Sequence, residues 1–181
     1  MNSATGDFSV RPAKPSDIPC ITEIYAEAVK NGTASFELEP PGEAEMARRQ
    51  QVLLAKNYPY FVAERADVIA GYAYAGPYRD RRAYDWCVED SIYVAPAFHR
   101  QGIGRRLLER LIADSEVRGF RQMLAVIGDT ANTASVAVHA AAGFRLVGTF
   151  QSIGYKHGRW LDTVLMQRSL GGGDGAPPKP L

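Results

Sequence analysis

Between Asp90 and Leu108 the chain changes its period once, and that change constrains the local fold more than any other stretch. Ser91–Val94 is β-favouring and stops at Pro96; Gly102 and Gly104 follow; Ile103, Leu107, Leu108, Leu111 and Ile112 then recur at helical spacing. The spacing predicts a strand, a glycine turn and an amphipathic helix. A turn of this kind leaves backbone N–H groups free at a helix N-terminus, where the dipole favours anions. Gly102 and Gly104 carry no Cβ to hold a phosphate away from the backbone. Arg100, Arg105 and Arg106 add positive charge around them. The turn from Arg100 through Gln101, Gly102, Ile103 and Gly104 to Arg105 therefore predicts a site for a pyrophosphate-bearing ligand.

Two well-known phosphate-binding patterns do not fit. A P-loop needs Lys and then Ser or Thr after its second glycine, and Arg105 and Arg106 stand there. A dinucleotide fingerprint needs a third glycine, and Leu107 occupies that offset.

Composition narrows the class. The chain has 181 residues, 46% of them hydrophobic, enough for one domain with a sizeable core. A formal net charge of +1, with no basic run longer than a pair, offers nothing to nucleic acid or an anionic membrane. The two cysteines, Cys20 and Cys87, are too few for a disulfide framework or a zinc site, and both are expected as buried, reduced thiols. No metal site is expected. No apolar run is long enough to suggest a membrane span and the first residues do not read as a signal peptide, so the expected compartment is the cytoplasm.

Read for period, the chain gives a strand over 8–13, a helix from a Ser16 cap to about Lys30, and a loop over 31–42. A second helix over 43–56 and a hairpin of 60–65 with 68–75 follow. The helix stripe is Ile18, Ile21, Ile24, Tyr25 and Val29. After a glycine- and arginine-rich connection over 76–82 come a strand over 83–94 and the helix over 103–118. A short buried strand over 123–127 leads to a helix from Asn132 to Ala142 that Gly143 ends. Strands over 144–155 and 160–168 close the domain. Residues 1–7 read as a flexible N-terminus and 170–181 as a disordered, glycine- and proline-rich tail. The order β-α-α-β-β-β-α-β-α-β-β predicts a single three-layer α/β domain over 8–169 with a mixed central sheet.

Several side chains can carry chemistry. Asp85, Glu89 and Asp90 lie in the strand that feeds the glycine turn. In a regular strand 85, 89, 91 and 93 share one face and Asp90 takes the other. His139 follows Asn132 by seven residues, so the two project from nearly the same side of their helix; Asn132 can equally cap that helix. Arg79, Arg81 and Arg82 precede the strand, and a planar guanidinium suits a carboxylate.

The run from Val94 to Leu108 resembles the acetyl-CoA motif [R/Q]-x-x-G-x-[G/A] of the GNAT N-acetyltransferases, with His99 standing where Arg or Gln is usual. The likeness extends over roughly residues 8–169. Ala83–Val94 resembles the corresponding strand of the phosphinothricin N-acetyltransferases. Gly76-Pro77, Ala125-Val126-Ile127-Gly128, Lys156-His157-Gly158 with Trp160 and Asp162, and the loop Thr33–Pro40 with Phe36 agree with it too. The resemblance implies two central parallel strands that splay apart, 83–94 and 123–127, with acetyl-CoA between them as cosubstrate. It implies that Glu89 is the base, that His139 acts as general acid or contacts the cofactor sulfur, and that Asn132 and Ser135 lie along the pantetheine arm. Amides of Ile92, Tyr93 and Val94 would hold the thioester. Arg79 or Arg81, with Tyr84 and Phe36, would bind the acceptor.

The chemistry is consistent with those roles. Amide formation from a thioester needs a neutral amine, yet amines are protonated at pH 7, with reference values of about 8 for a peptide terminus and about 10.4 for Lys. A base is therefore useful. Backbone N–H groups at a strand irregularity can polarise the thioester carbonyl. The resemblance implies direct acetyl transfer to the α-amine of a small amino-acid-like acceptor such as phosphinothricin or methionine sulfoximine, a detoxifying role, and a homodimer; His157 and Trp160 are expected to shape the last hairpin, with a dimer contact as the alternative. Two rival functions share the turn: acetylation of protein N-termini or lysines, and a non-catalytic acyl-CoA-binding regulator, against which Glu89 weighs.

Overall fold

Each stretch with a clear period forms the element its period predicts. The structure, a computed structural model, describes residues 8–179. The expectation for residues 1–7 falls outside them, as do Pro180 and Leu181. In chain order the elements are β1 (Ser9–Pro12), α1 (Ile18–Asn31), α2 (Glu43–Ala55), β2 (Tyr60–Arg65), β3 (Val68–Pro77), β4 (Cys87–Val94), α3 (Ile103–Val117), β5 (Gln122–Gly128), α4 (Thr133–Ala141), β6 (Arg145–Lys156) and β7 (Arg159–Ser169). The strands form one seven-stranded sheet in the order β1-β2-β3-β4-β5-β7-β6, antiparallel except for β4 against β5. Among the described residues no helix is long and apolar enough to cross a membrane.

Strand alternation divides the core in two. In β3, Tyr72 joins the cluster under α1 and α2 with Ile21, Val29, Tyr60 and Val62. Its neighbour Ala73 faces α3, where Leu107, Leu108 and Leu111 pack on Phe61, Val88 and Met123. The five stripe residues of α1 and the five of α3 read from the sequence are all buried. Small residues on the α3 side of β3 and large rings on the other let both layers pack at full density.

Four expectations are corrected. Asp17, not Ser16, occupies the start of α1: its carboxylate accepts from the Lys14 N–H at 2.7 Å and pairs with Arg11, whose guanidinium also reaches Glu64. The strand expected over 83–94 begins only at Cys87, because Arg82–Tyr84 is a 3₁₀ turn closed by bonds from Tyr84 N to Arg81 O and from Asp85 N to Arg82 O. Those donors are spent locally, and pairing with β3 starts at Pro77↔Val88. Cys20 is exposed on α1 and Cys87 only half-buried. Residues 170–179, expected to lack fixed structure, fold back on the domain instead. Leu170 is buried, Arg121 donates to the carbonyls of Gly173 and Ala176, and Trp86 Nε1 donates to Lys179 O.

Candidate active site

The parallel pair is short. β4 and β5 are in register from Cys87↔Gln122 to Asp90↔Ala125 and then part. β4 continues against β3 as far as Gly71↔Val94, and β5 against β7 as far as Gly128↔Thr163. A cavity of about 880 Å³ occupies the gap, lined by Glu89 to Val94 on one side and by Ala125 to Gly128 on the other. The splay implied by the resemblance is thus present.

The phase of the β3–β4 ladder decides which peptide groups face that gap. The Ala95 N–H bonds Ala70 O at 2.9 Å, and the register runs without a shift along the whole pair. Alternation then directs the N–H and C=O of Tyr93 toward β3, and those of Ile92 and Val94 toward the side β5 has left. No irregularity of β4 against β3 is needed; the departure of β5 alone frees the amides. Tyr93 lines the cavity, but its ring packs among tyrosines, 5.0 Å from Tyr25 and 5.2 Å from Tyr72.

At the far end of the cavity lies the glycine turn. Gly102 is the N-cap residue of α3 with φ of 80°, a conformation that favours glycine, and no side chain caps the first turn. A Cβ there would meet nothing within 4 Å, so the approach to the helix N-terminus is open. Arg100, Ile103, Gly104 and Arg105 line the same space. Arg105 also pairs with Glu109 at 2.7 Å on the exposed face. Gln101 points away and donates to Ala97 O at 3.2 Å. His99, the departure from the family motif, has a structural role: its Nε2 lies 2.9 Å from Val94 O.

Glu89 and Asp90 stand where the strands part. Glu89 shares its face with Tyr93 and Tyr74, on the α1–α2 side. Burial, with the nearby Asp90 charge, pushes its carboxyl up to about 7. Asp90 is turned to the α3–α4 side and is 7% exposed. Its Oδ2 lies 2.9 Å from His139 Nε2. His139 Nδ1 lies 2.8 Å from Ser135 O, and Phe144 packs edge-on to the ring. Burial works against charge on His139, but the bond to Asp90 outweighs it and its pKa is raised. Asn132 caps α4, accepting from Ser135 N at 3.3 Å, and both residues line the cavity.

The 31–42 loop is clamped beside the gap. Phe36 lies against two glycines: a Cβ on Gly154 would stand 2.3 Å from its ring, and one on Gly128 would stand 3.0 Å from the ring and 2.1 Å from Thr33 O. Lys156 Nζ, buried, donates to Ser35 O at 2.7 Å, and Tyr25 OH meets Ser35 Oγ at 2.9 Å. Arg79, Arg81 and Tyr84 are exposed on the loop before β4 and do not line the cavity; Tyr84 packs edge-on to Tyr78.

Sequence reasoning gave Asp90 no role beyond a competitor to Glu89, and gave Lys156 none beyond the resemblance. For Asp90 a signal existed. It alternates with Val88 and Ile92 on the apolar face of its strand, and a carboxylate there needs a partner. For Lys156 no local signal existed, because its acceptor lies 121 positions away.

A seven-stranded mixed sheet thus opens at one parallel pair, with a glycine turn at the mouth of the gap and a carboxylate at its apex. The family-wide sequence pattern of the acetyltransferase (GNAT) family matches residues 21–144, and the chain belongs to that family. Within it, the chain is 50% identical over 171 residues to phosphinothricin N-acetyltransferase of Alcaligenes faecalis, covering 94% of this chain and 87% of that one. It is 35% identical to the L-methionine sulfoximine/L-methionine sulfone acetyltransferase of Salmonella typhimurium, covering 90% and 95%. Its fold superposes with a TM-score of 0.92 and 47% identity on a GNAT superfamily phosphinothricin acetyltransferase from Sinorhizobium meliloti solved in complex with acetyl-CoA, covering 95% and 93%. The chain is an N-acetyltransferase.

Proposed function

We propose that this enzyme transfers the acetyl group of acetyl-CoA directly to the α-amine of a small amino-acid-like acceptor of the phosphinothricin or methionine sulfoximine type. The observation that carries the reading is Glu89, half-buried at the point where β4 and β5 separate. With its carboxyl at about 7, it is an effective proton acceptor near neutral pH.

The chain's own groups divide the work. The first turn of α3, with Arg100 and Arg105, would take the pyrophosphate. The peptide group of Ile92 and the N–H of Val94 would bond the pantetheine arm and thioester in the gap, beside Asn132 and Ser135. Glu89 would remove the amine proton from the α1–α2 side, directly or through water, and Phe36 would cover the acceptor. Arg79 or Arg81, with Tyr84, would hold the acidic end of the acceptor from the loop before β4. Direct transfer is favoured over an acetylated enzyme because the Cys87 thiol, beside Glu89, is pushed up by burial to about 11.

The same reading carries a detoxifying role in the cytoplasm and a homodimer. Leu146, Phe150, Ile153 and Trp160 are each at least half exposed on β6 and β7, which supports a covered face there. The deciding experiment is an acetyl-CoA assay of the wild type against phosphinothricin, methionine sulfoximine and a peptide panel. Acetylation of the small acceptors is expected. Acetylation of peptides alone would overturn the assignment.

A further inference from the structure

Trp86, the residue before β4, is held from two directions. Its carbonyl accepts from the N–H of Arg121 at 2.8 Å and of Gln122 at 3.2 Å, which ties it to the start of β5. Its indole Nε1 donates to Lys179 O at 2.8 Å, which ties it to the segment that follows β7. Arg121 is the second anchor of that segment. Its Nε donates to Gly173 O at 2.7 Å and its Nη2 to Ala176 O at 3.0 Å, while its carbonyl accepts from the Leu170 N–H at 2.9 Å. The sequence of the segment suits this path. Gly171 and Gly173 have φ of 51° and 53°, and Gly173 N bonds Leu170 O at 2.9 Å, so the chain turns as it leaves the buried Leu170. Pro177 and Pro178 then fix φ and carry no N–H, so the stretch that reaches Trp86 is stiff and has no donor to satisfy.

The loop that ends at Trp86 needs such an anchor. Its backbone bonds close within it, from Arg81 N to Arg79 O, Tyr84 N to Arg81 O and Asp85 N to Arg82 O, and Tyr78 packs edge-on to Tyr84 at 5.5 Å. These contacts fix the shape of the loop. Its direction relative to the sheet is set at its ends, by the Pro77↔Val88 pair and by Trp86. We propose that residues 171–179 are a strap that positions this loop for the acceptor, with Trp86 as the positioning residue. The proposal rests on the reading above, in which Arg79 or Arg81, with Tyr84, holds the acidic end of the acceptor. A guanidinium held in place before binding loses less freedom on pairing with an acidic group than one on a swinging loop, so the strap acts on acceptor affinity. The acetyl-CoA cavity opens beyond Asp90↔Ala125, and neither Trp86 nor Arg121 lines it. Release of the strap therefore leaves cosubstrate binding and the chemical step unchanged.

The experiment uses two full-chain variants. Trp86→Phe keeps a ring and removes the indole donor; Arg121→Met removes both side-chain donors to the strap and keeps the backbone bonds. Each is read by millisecond amide hydrogen exchange over 78–86 and 171–179, and by bisubstrate kinetics with phosphinothricin and methionine sulfoximine. Both variants are expected to exchange faster over 78–86, and Arg121→Met over 171–179 as well. The acceptor KM is expected to rise about three- to tenfold in both, with kcat and KM for acetyl-CoA unchanged, a split that a general loss of stability does not produce. A wild-type acceptor KM in either variant overturns the strap, as does wild-type exchange over 78–86. A wild type that acetylates neither compound overturns the acceptor reading instead, and exchange over 78–86 then decides the strap by itself. Should Arg121→Met fail to fold, Trp86→Phe decides.

Discussion

Glu89 and Asp90 are adjacent on β4 and face opposite sides of it: Glu89 looks to the tyrosine-lined α1–α2 side, while Asp90 bonds His139 of α4 at 2.9 Å. The strand separates these two carboxyl sites by its own thickness. The gap left by β5 opens at Asp90↔Ala125, level with both of them.

Removing the base tests the first of those sites. Glu89→Gln keeps the side-chain volume and removes the proton acceptor, so kcat should fall by about 10²–10⁴ while acetyl-CoA binding persists. In the wild type kcat/KM should rise with pH through about 7, because the carboxyl must ionise and burial holds it there. A pH profile whose acid limb lies at the ordinary value of 4.5 would contradict this environment for Glu89.

The loop clamp gives a steric prediction. In Gly128→Ala the new methyl would stand 2.1 Å from Thr33 O, a backbone atom, so the loop must move. A cost of about 1–3 kcal/mol is expected in denaturant unfolding, with a raised KM for the acceptor. Lys156→Met, which removes the donor to Ser35 O, should raise the same KM and speed proteolysis within 31–42.

At the turn, Gly102→Ala places a side chain at φ of 80°, which costs about 1–2 kcal/mol. The methyl would project into open space at the helix N-terminus. KM for acetyl-CoA should therefore rise more than the acceptor KM, which bisubstrate kinetics will read.

Acid sensitivity follows from Asp17. Burial would raise its carboxyl, but the Arg11 guanidinium and the Lys14 N–H outweigh that and hold it below its ordinary value of 3.8. A depressed folded value means the contribution is complete above 3.8 and is lost as pH falls below it. Asp17→Asn should cost about 1–3 kcal/mol at neutral pH, and its gap from the wild type in thermal melts should close in acid.

How much was legible depends on the range of the forces involved. Helix stripes such as Ile103, Leu107, Leu108 and Leu111 are set by local period, and all are buried as read. The start of α1 was misplaced because Ser16 is a good local cap, whereas Asp17 is held by Arg11 from β1. The ordered segment 170–179 was missed because composition carries no trace of the distant donors Trp86 and Arg121.

The sequence by itself determined the order of elements, the glycine turn that opens a helix N-terminus, and the alternation that puts Glu89 and Asp90 on opposite faces. These depend on covalent geometry and on periods of two and 3.6 residues. Tertiary structure alone decided that β5 leaves β4 at Asp90, that the N–H groups freed by its departure belong to Ile92 and Val94, and that His139 meets Asp90 across 49 positions. Each of those results depends on how separate elements pack and pair, which local period does not encode.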